Sequence, residues 1–131
     1  MSSIFTKIIQ GEIPCHKIAE DDQFLAFLDI MPLKEGHVLV IPKQEIDDIF
    51  DLPEELFSDL MKFAHRIAPA IKKACPCKKL GVTVIGLEVP HAHVHLIPMN
   101  SMSDVNFANP KLRPSQEELA ATAARIRSYL G

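Results

Sequence analysis

The spacing of hydrophobic residues changes several times along the chain, and each change marks an element. Ile4, Phe5, Ile8 and Ile9 recur at helical intervals and predict a short helix over residues 4–9. The run Gly11-Glu12-Ile13-Pro14 breaks it. After a turn at Asp21-Asp22, the apolar stretch from Phe24 to Ile30 reads as a strand. A connector holding Pro32 and Gly36 leads into a second strand, His37–Ile41, which Pro42 closes. A long helix follows, with Asp51 as its cap, Pro53 in its first turn and Glu54 three residues on from the cap. Its apolar residues Leu56, Leu60, Phe63, Ile67 and Ile71 form one stripe, and Pro69 is expected to kink or end it. Two more strands are expected at Leu80–Ile85 and Val89–Met99, with Gly86 in the turn between them. The box Ser115-x-x-Glu118 opens a last helix carrying Leu119, Ile126 and Leu130. Strands cluster without regular βαβ alternation, so the fold class is α+β, built on an antiparallel sheet.

At 131 residues the chain suits one domain, because two separate cores of half that size would each be marginal. Its 47% hydrophobic and 24% charged residues are ordinary for a soluble protein. The formal net charge of -3 comes from interspersed signs, and Lys72-Lys73 and Lys78-Lys79 are too short for a basic face. No nucleic-acid partner is expected. The N-terminus lacks the apolar core of a signal peptide, and no apolar run reaches the 18 or so residues of a membrane span. Three cysteines, Cys15, Cys75 and Cys77, are too few for a disulfide framework. A cytoplasmic protein with reduced thiols is the expectation.

The chemistry concentrates in Val89-Pro90-His91-Ala92-His93-Val94-His95-Leu96-Ile97-Pro98. On a strand, alternation turns His91, His93 and His95 to one face, spaced by roughly 6–7 Å, and Ala92, Val94 and Leu96 to the other. Three readings fit the spacing. The histidines can belong to a solvated edge strand. They can ligate a metal such as Zn²⁺. Or they can serve as nucleophile and acid/base, because an imidazole keeps a free nitrogen at neutral pH.

His91-x-His93-x-His95 followed by Leu96-Ile97 resembles the signature of the histidine triad (HIT) family. The likeness extends upstream. Ile4–Ile9 with Gly11-Glu12-Ile13-Pro14 resembles the family's N-terminal segment, and Phe27–Ile30 and Gly36–Lys43 resemble its central strands. The resemblance covers a family-like core of about residues 3–108 and leaves 109–131 as a helical tail within a single domain, 1–131. It implies a HIT-like fold of about five antiparallel strands with one long helix, a short N-terminal helix and a C-terminal helix, usually paired into a homodimer.

The resemblance also implies a function: hydrolysis or transfer at the α-phosphate of a purine nucleotide derivative, a nucleoside phosphoramidate or a dinucleoside polyphosphate. His93 is then the nucleophile and carries a nucleotidyl adduct. His91 orients it by hydrogen bonding, and His95 and His37 line the phosphate site. Asp29 holds the ribose hydroxyls, and Ile4, Phe5, Ile8, Phe27, Ile30 and Leu39 wall the base. No metal and no cofactor is required.

The chain departs from the family at two places. Many bacterial relatives hold a structural zinc through a Cys-x-x-Cys and a histidine, where this chain has Ser3, Thr6 and Glu45. That substitution argues against zinc. Cys75-Pro76-Cys77 reads as a turn rather than a metal clamp. Relatives commonly have Gly-Gln and then Ser or Thr before the triad, but here Gly86-Leu87-Glu88-Val89 stands there. A carboxylate at Glu88 repels phosphate unless it turns away, is protonated or faces a cationic leaving group. A nucleotide-binding regulator with a weakened site, and a metal enzyme on the triad, therefore stand as competing classes. His16 and His65 lie outside the matched positions, and His65 is expected at the surface.

Overall fold

The computed structural model describes residues 2–131. Its helices are α1 (Ile4–Ile9), α2 (Glu54–Ala74) and α3 (Gln116–Arg127). Its strands are β1 (Lys17–Glu20), β2 (Phe24–Leu28), β3 (Val38–Pro42), β4 (Lys79–Thr83) and β5 (Val94–Met99). All pairings are antiparallel, and the sheet runs β1-β2-β3-β5-β4. This is the α+β arrangement of five strands and three helices that the pattern and the resemblance imply.

The central strands β2 and β3 are buried at every position, because both faces of the sheet are covered. Phe24, Ala26, Leu28, Val38 and Val40 face Leu60, Phe63, Ile67 and Ile71 of α2 and Leu119, Ala123 and Ile126 of α3. Leu25, Phe27, Leu39 and Ile41 face the other way, beneath Phe5 of α1. Helix α1 starts where Ser3 accepts a hydrogen bond from the Thr6 N–H, which satisfies one of the free donors of the first turn. In α3 the Ser115–Glu118 capping box forms as its sequence predicts.

Several boundaries differ from expectation for identifiable reasons. The predicted Asp51 cap is absent: Asp51 ends a 3-10 turn, Ile49–Asp51, and Pro53 stands at the head of α2 without a side-chain bond. Pro69 does not end α2, which continues to Ala74. Pro69 and His65, whose carbonyl the proline leaves without a helical donor, both lie on the exposed face, where water can serve that carbonyl. Leu130 lies beyond α3 and is exposed rather than part of the stripe. Strand β1 carries no strong signal, since Ile18 is its one buried residue.

The tail packs on its own chain. Arg125 Nε donates to the Ala74 carbonyl at the end of α2 (2.9 Å), and Arg127 Nη1 donates to the Lys17 carbonyl of β1 (2.6 Å). Among the described residues no helix is long and apolar enough to cross a membrane.

Candidate active site

The ladder of β5 begins at Val94, so of the three clustered histidines His95 alone sits in a paired strand. This corrects the expectation of a strand from Val89. Pro90 has no N–H to donate, and the neighbouring backbone bonds leave the ladder: the His91 N–H bonds the Val89 carbonyl (2.8 Å) and the Ala92 N–H bonds the Ile46 carbonyl (2.7 Å). Side-chain alternation persists without the ladder. Ala92, Val94 and Leu96 enter the core under α2. His91, His93 and His95 face the α1 side, where the Phe5 ring meets His91 at 5.7 Å and His93 at 5.0 Å, centroid to centroid.

The hydrogen bonds define each ring's tautomer. His93 Nδ1 lies 2.7 Å from the His91 carbonyl oxygen, an acceptor only, so Nδ1 carries the hydrogen and the lone pair of the neutral ring falls on Nε2. The orienting group is thus the backbone of His91 rather than its ring. The ring of His91 donates from Nε2 to the Pro42 carbonyl (2.7 Å) and accepts at Nδ1 from Ser3 Oγ (2.8 Å). His37 Nδ1 accepts from the Leu33 N–H (3.1 Å), so its hydrogen is on Nε2, which donates to His95 Nδ1 (2.9 Å). His95 is left with an N–H at Nε2. One ring with a free lone pair therefore lies 4.9 Å, centroid to centroid, from a ring with a free donor.

Both rings wall a cavity of about 510 Å³, a size suited to a small organic ligand. The predicted Ile4, Phe5, Asp29, Ile30 and Leu39 also line it. The other predicted wall residues do not. Phe27 is buried behind Phe5 (5.6 Å between centroids), and Ile8 packs against the same cluster. His91 and His37 also lie outside the lining and act through the hydrogen bonds above. Met31, Ile85, Leu87, Val89, Phe107 and Lys111 line the cavity without having been singled out in the sequence. Phe107 and Lys111 come from the segment after β5, whose sequence carries no motif. Glu88 is exposed and is among the residues lining the cavity, and its charge is felt at Asp29.

Burial dominates the electrostatics. It pushes His37 down to about 3 and His95 to about 4, with nearby positive charge from Lys111 and from neighbouring imidazoles adding to the effect. Both rings stay neutral in ordinary buffers. Burial raises Asp29 above the usual carboxylate range, a hydrogen bond from the Met31 N–H opposes the rise, and Glu88 adds to it. Asp29, His37 and His95 place potential ligand atoms within 4.8 Å of one another, as a metal site would. Their hydrogen bonds use up that set: His37 presents an N–H rather than a lone pair, and the His95 Nδ1 lone pair receives it. Ser3, Thr6 and Glu45 bind one another, and Ser3 reaches His91. Glu45 Oε1 accepts from the Ser3 N–H (2.7 Å) and from Thr6 Oγ1 (2.6 Å).

The remaining singled-out side chains lie elsewhere. His65 is exposed on α2, and His16 meets Gln116 (2.7 Å). Cys15, Cys75 and Cys77 are free thiols, and burial raises the pKa of Cys75.

A family model described as the HIT domain matches residues 10–102. The adenosine 5'-monophosphoramidase hnt1 of Schizosaccharomyces pombe is 35% identical over 132 residues, covering 99% of each chain. A solved HIT-like protein from Bartonella henselae, described as involved in cell-cycle regulation, superposes with a TM-score of 0.84 at 33% identity, over 97% of this chain and 95% of that one. A zinc-bound histidine triad family protein from Mycobacterium smegmatis superposes at 0.83 with 29% identity, over 99% and 94%.

Proposed function

The chain belongs to the histidine triad (HIT) family, and from that premise we propose that it is a nucleotidyl hydrolase or transferase acting at the α-phosphate of a purine nucleotide derivative. The observation that carries this reading is the His93 ring at the wall of the cavity, whose Nδ1 bond to the His91 carbonyl leaves Nε2 as the nitrogen free to act. Nε2 attacks the α-phosphorus, and the bond from phosphorus to the leaving nitrogen or oxygen breaks. An amine leaving group takes up a proton from solvent as it departs, and the water of the second step returns one to solvent. Water then attacks phosphorus, the His93–phosphorus bond breaks, and a nucleoside monophosphate leaves as the free ring is restored. Covalent catalysis of this kind divides one hard displacement into two easier ones. The His95 Nε2–H is the donor available to charge developing on the non-bridging oxygens.

Asp29 is the carboxylate for the ribose hydroxyls, and Ile4, Phe5, Ile30 and Leu39 are the walls for the base. The Schizosaccharomyces relative, named for adenosine 5'-monophosphoramide hydrolysis, supports a nucleoside phosphoramidate over a dinucleoside polyphosphate. A pair of copies is the working assembly in this reading. Among the described residues the outer edge of β4 has no strand partner, and it carries the exposed Val82, with Val84, Ile85 and Leu87 following. Three free thiols fit a cytoplasmic setting.

The test is intact-mass analysis of His95 and His37 variants incubated with an adenosine phosphoramidate. A nucleotidyl adduct on His93 is the expected product, and His93→Ala should lose turnover by several orders of magnitude while still binding AMP. Retained turnover in His93→Ala would sink the proposal. Glu88 at the cavity wall favours a second reading, a nucleotide-binding regulatory protein of the same fold. That reading predicts AMP binding with no adduct from any variant.

A further inference from the structure

The segment that follows β5 contributes a charged group to the cavity. After a 3-10 turn at Met102–Val105, Asn106 and Asn109 fold the chain back: the Ala108 N–H bonds Asn106 Oδ1 (2.9 Å) and Asn109 Nδ2 bonds the Ser103 carbonyl (2.6 Å). Leu112 then ties the segment to the connector before β3 through its N–H bond to the Pro32 carbonyl (2.8 Å). Lys111 is held between this turn and this tie.

Its Nζ lies 4.8 Å from the centroid of the Phe107 ring, and Phe107 packs edge-on against His95 with centroids 4.9 Å apart. The ammonium makes one long hydrogen bond, 3.5 Å, to the Phe107 carbonyl. Among the described residues it forms no ion pair, although the carboxylates of Asp29 and Glu88 line the same cavity. It is the only Lys or Arg among the described lining residues. A cavity lined by two carboxylates, two imidazoles and one ammonium outside any ion pair offers an anion one permanent positive charge. The side chains just before the triad cannot compete: Leu87 and Val89 are apolar and Glu88 is an anion.

We infer that Lys111 is the residue that binds the substrate's phosphate group, supplying from the C-terminal segment the polar contact that positions 87–89 lack. The inference deepens the proposed function and rests on it for the identity of the ligand. Phe107 positions the ammonium through the cation–π contact and meets the His95 ring edge-on.

The test compares wild type, Lys111→Met and Lys111→Arg for binding of AMP and of adenosine by calorimetry, with turnover of an adenosine phosphoramidate measured alongside. Methionine keeps an unbranched side chain of similar length and removes the charge. Lys111→Met should weaken AMP binding about 10- to 100-fold and leave adenosine binding unchanged, and Lys111→Arg should recover most of the loss. An unchanged AMP affinity in Lys111→Met overturns the inference and leaves the catalytic reading to stand on its own adduct. Charge-dependent AMP binding without any turnover supports Lys111 and overturns the catalytic reading. A wild type that binds no AMP overturns both.

Discussion

Ser3 Oγ and His91 Nδ1 meet at 2.8 Å across 88 positions of sequence, so the residue that caps α1 also supplies the donor to the first triad ring, whose tautomer the Pro42 carbonyl fixes. Glu45 anchors this contact from the loop after β3, and hydrogen bonding to Ser3 and Thr6 holds its carboxyl below the usual range. Replacing Ser3 with Ala removes a cap and leaves a buried imidazole nitrogen without its donor. The expected cost is about 1–3 kcal/mol of stability by denaturant titration. A kcat reduced about tenfold with AMP affinity unchanged is also expected, because His91 presents the carbonyl that orients His93. An unaltered kcat in a folded Ser3→Ala protein would show that this link does not reach the nucleophile.

The His37–His95 pair makes stability depend on pH in a definite direction. In the folded chain the rings are held at about 3 and about 4, against 6.5 for an unperturbed imidazole. As pH falls below 6.5 the unfolded chain takes up protons that the folded chain refuses. The stabilisation is therefore full above 6.5 and drains away down to the folded values. The slope is on the order of 1 kcal/mol per pH unit for each ring. Thermal melts from about pH 7.5 to about pH 5 should show a falling Tm. In His37→Gln one of the two buried rings is gone, and the fall should be shallower. An identical pH dependence in wild type and His37→Gln would contradict the assignment.

Local pattern reached some parts of this molecule and not others, and the boundary has a physical basis. The stripe from Leu56 to Ile71 and the Ser115–Glu118 box are encoded within a few residues, and both elements form there. The triad's alternation was legible too, because Ala92, Val94 and Leu96 must enter the core wherever the ladder begins. The ladder's late start was not, since it depends on Pro90 and on a distant acceptor at Ile46. Ile4 and Phe5 line the cavity while Ile8 and Phe27 sit behind it, a distinction that apolar character cannot express. Lys111 reaches the cavity through a tie to Pro32, which no local spacing records.

Gly36 shows how tightly the entry to β3 is built. It adopts φ +91, a conformation that favours glycine, and a Cβ there would lie 2.7 Å from Cys75 Sγ and 3.2 Å from Pro98 Cγ. Gly11 has a similar φ of +80 but nothing within 4 Å of its would-be Cβ. Gly11→Ala should therefore cost about 1–2 kcal/mol from backbone strain alone. Gly36→Ala adds a clash with the end of α2 and should cost about 2–4 kcal/mol. It should also disturb His37, the next residue. Equal losses in the two variants, measured by denaturant titration, would mean that the Cys75 contact relaxes freely.

Glu88 decides how well the cavity tolerates an anion. Its carboxylate shares the cavity wall with Asp29, His93 and His95, and its charge adds to the rise in the Asp29 pKa. A nucleotide phosphate placed beside His93 meets this charge at long range through partly solvated space, where an interaction of about 1 kcal/mol or less is reasonable. Glu88→Gln should accordingly tighten AMP binding by about 2- to 5-fold, more at low ionic strength than at high, because exposed charges are screened beyond about 10 Å at about 0.1 M salt and over shorter distances as salt rises. The substitution also separates two roles. If Glu88 only repels phosphate, turnover of every phosphoramidate rises together. If it receives a cationic leaving group, turnover of a phosphoramidate bearing a lysine-like amine falls while that of an uncharged amine rises. Salt-independent AMP affinity, identical in wild type and Glu88→Gln, would remove Glu88 from the electrostatics of the site altogether.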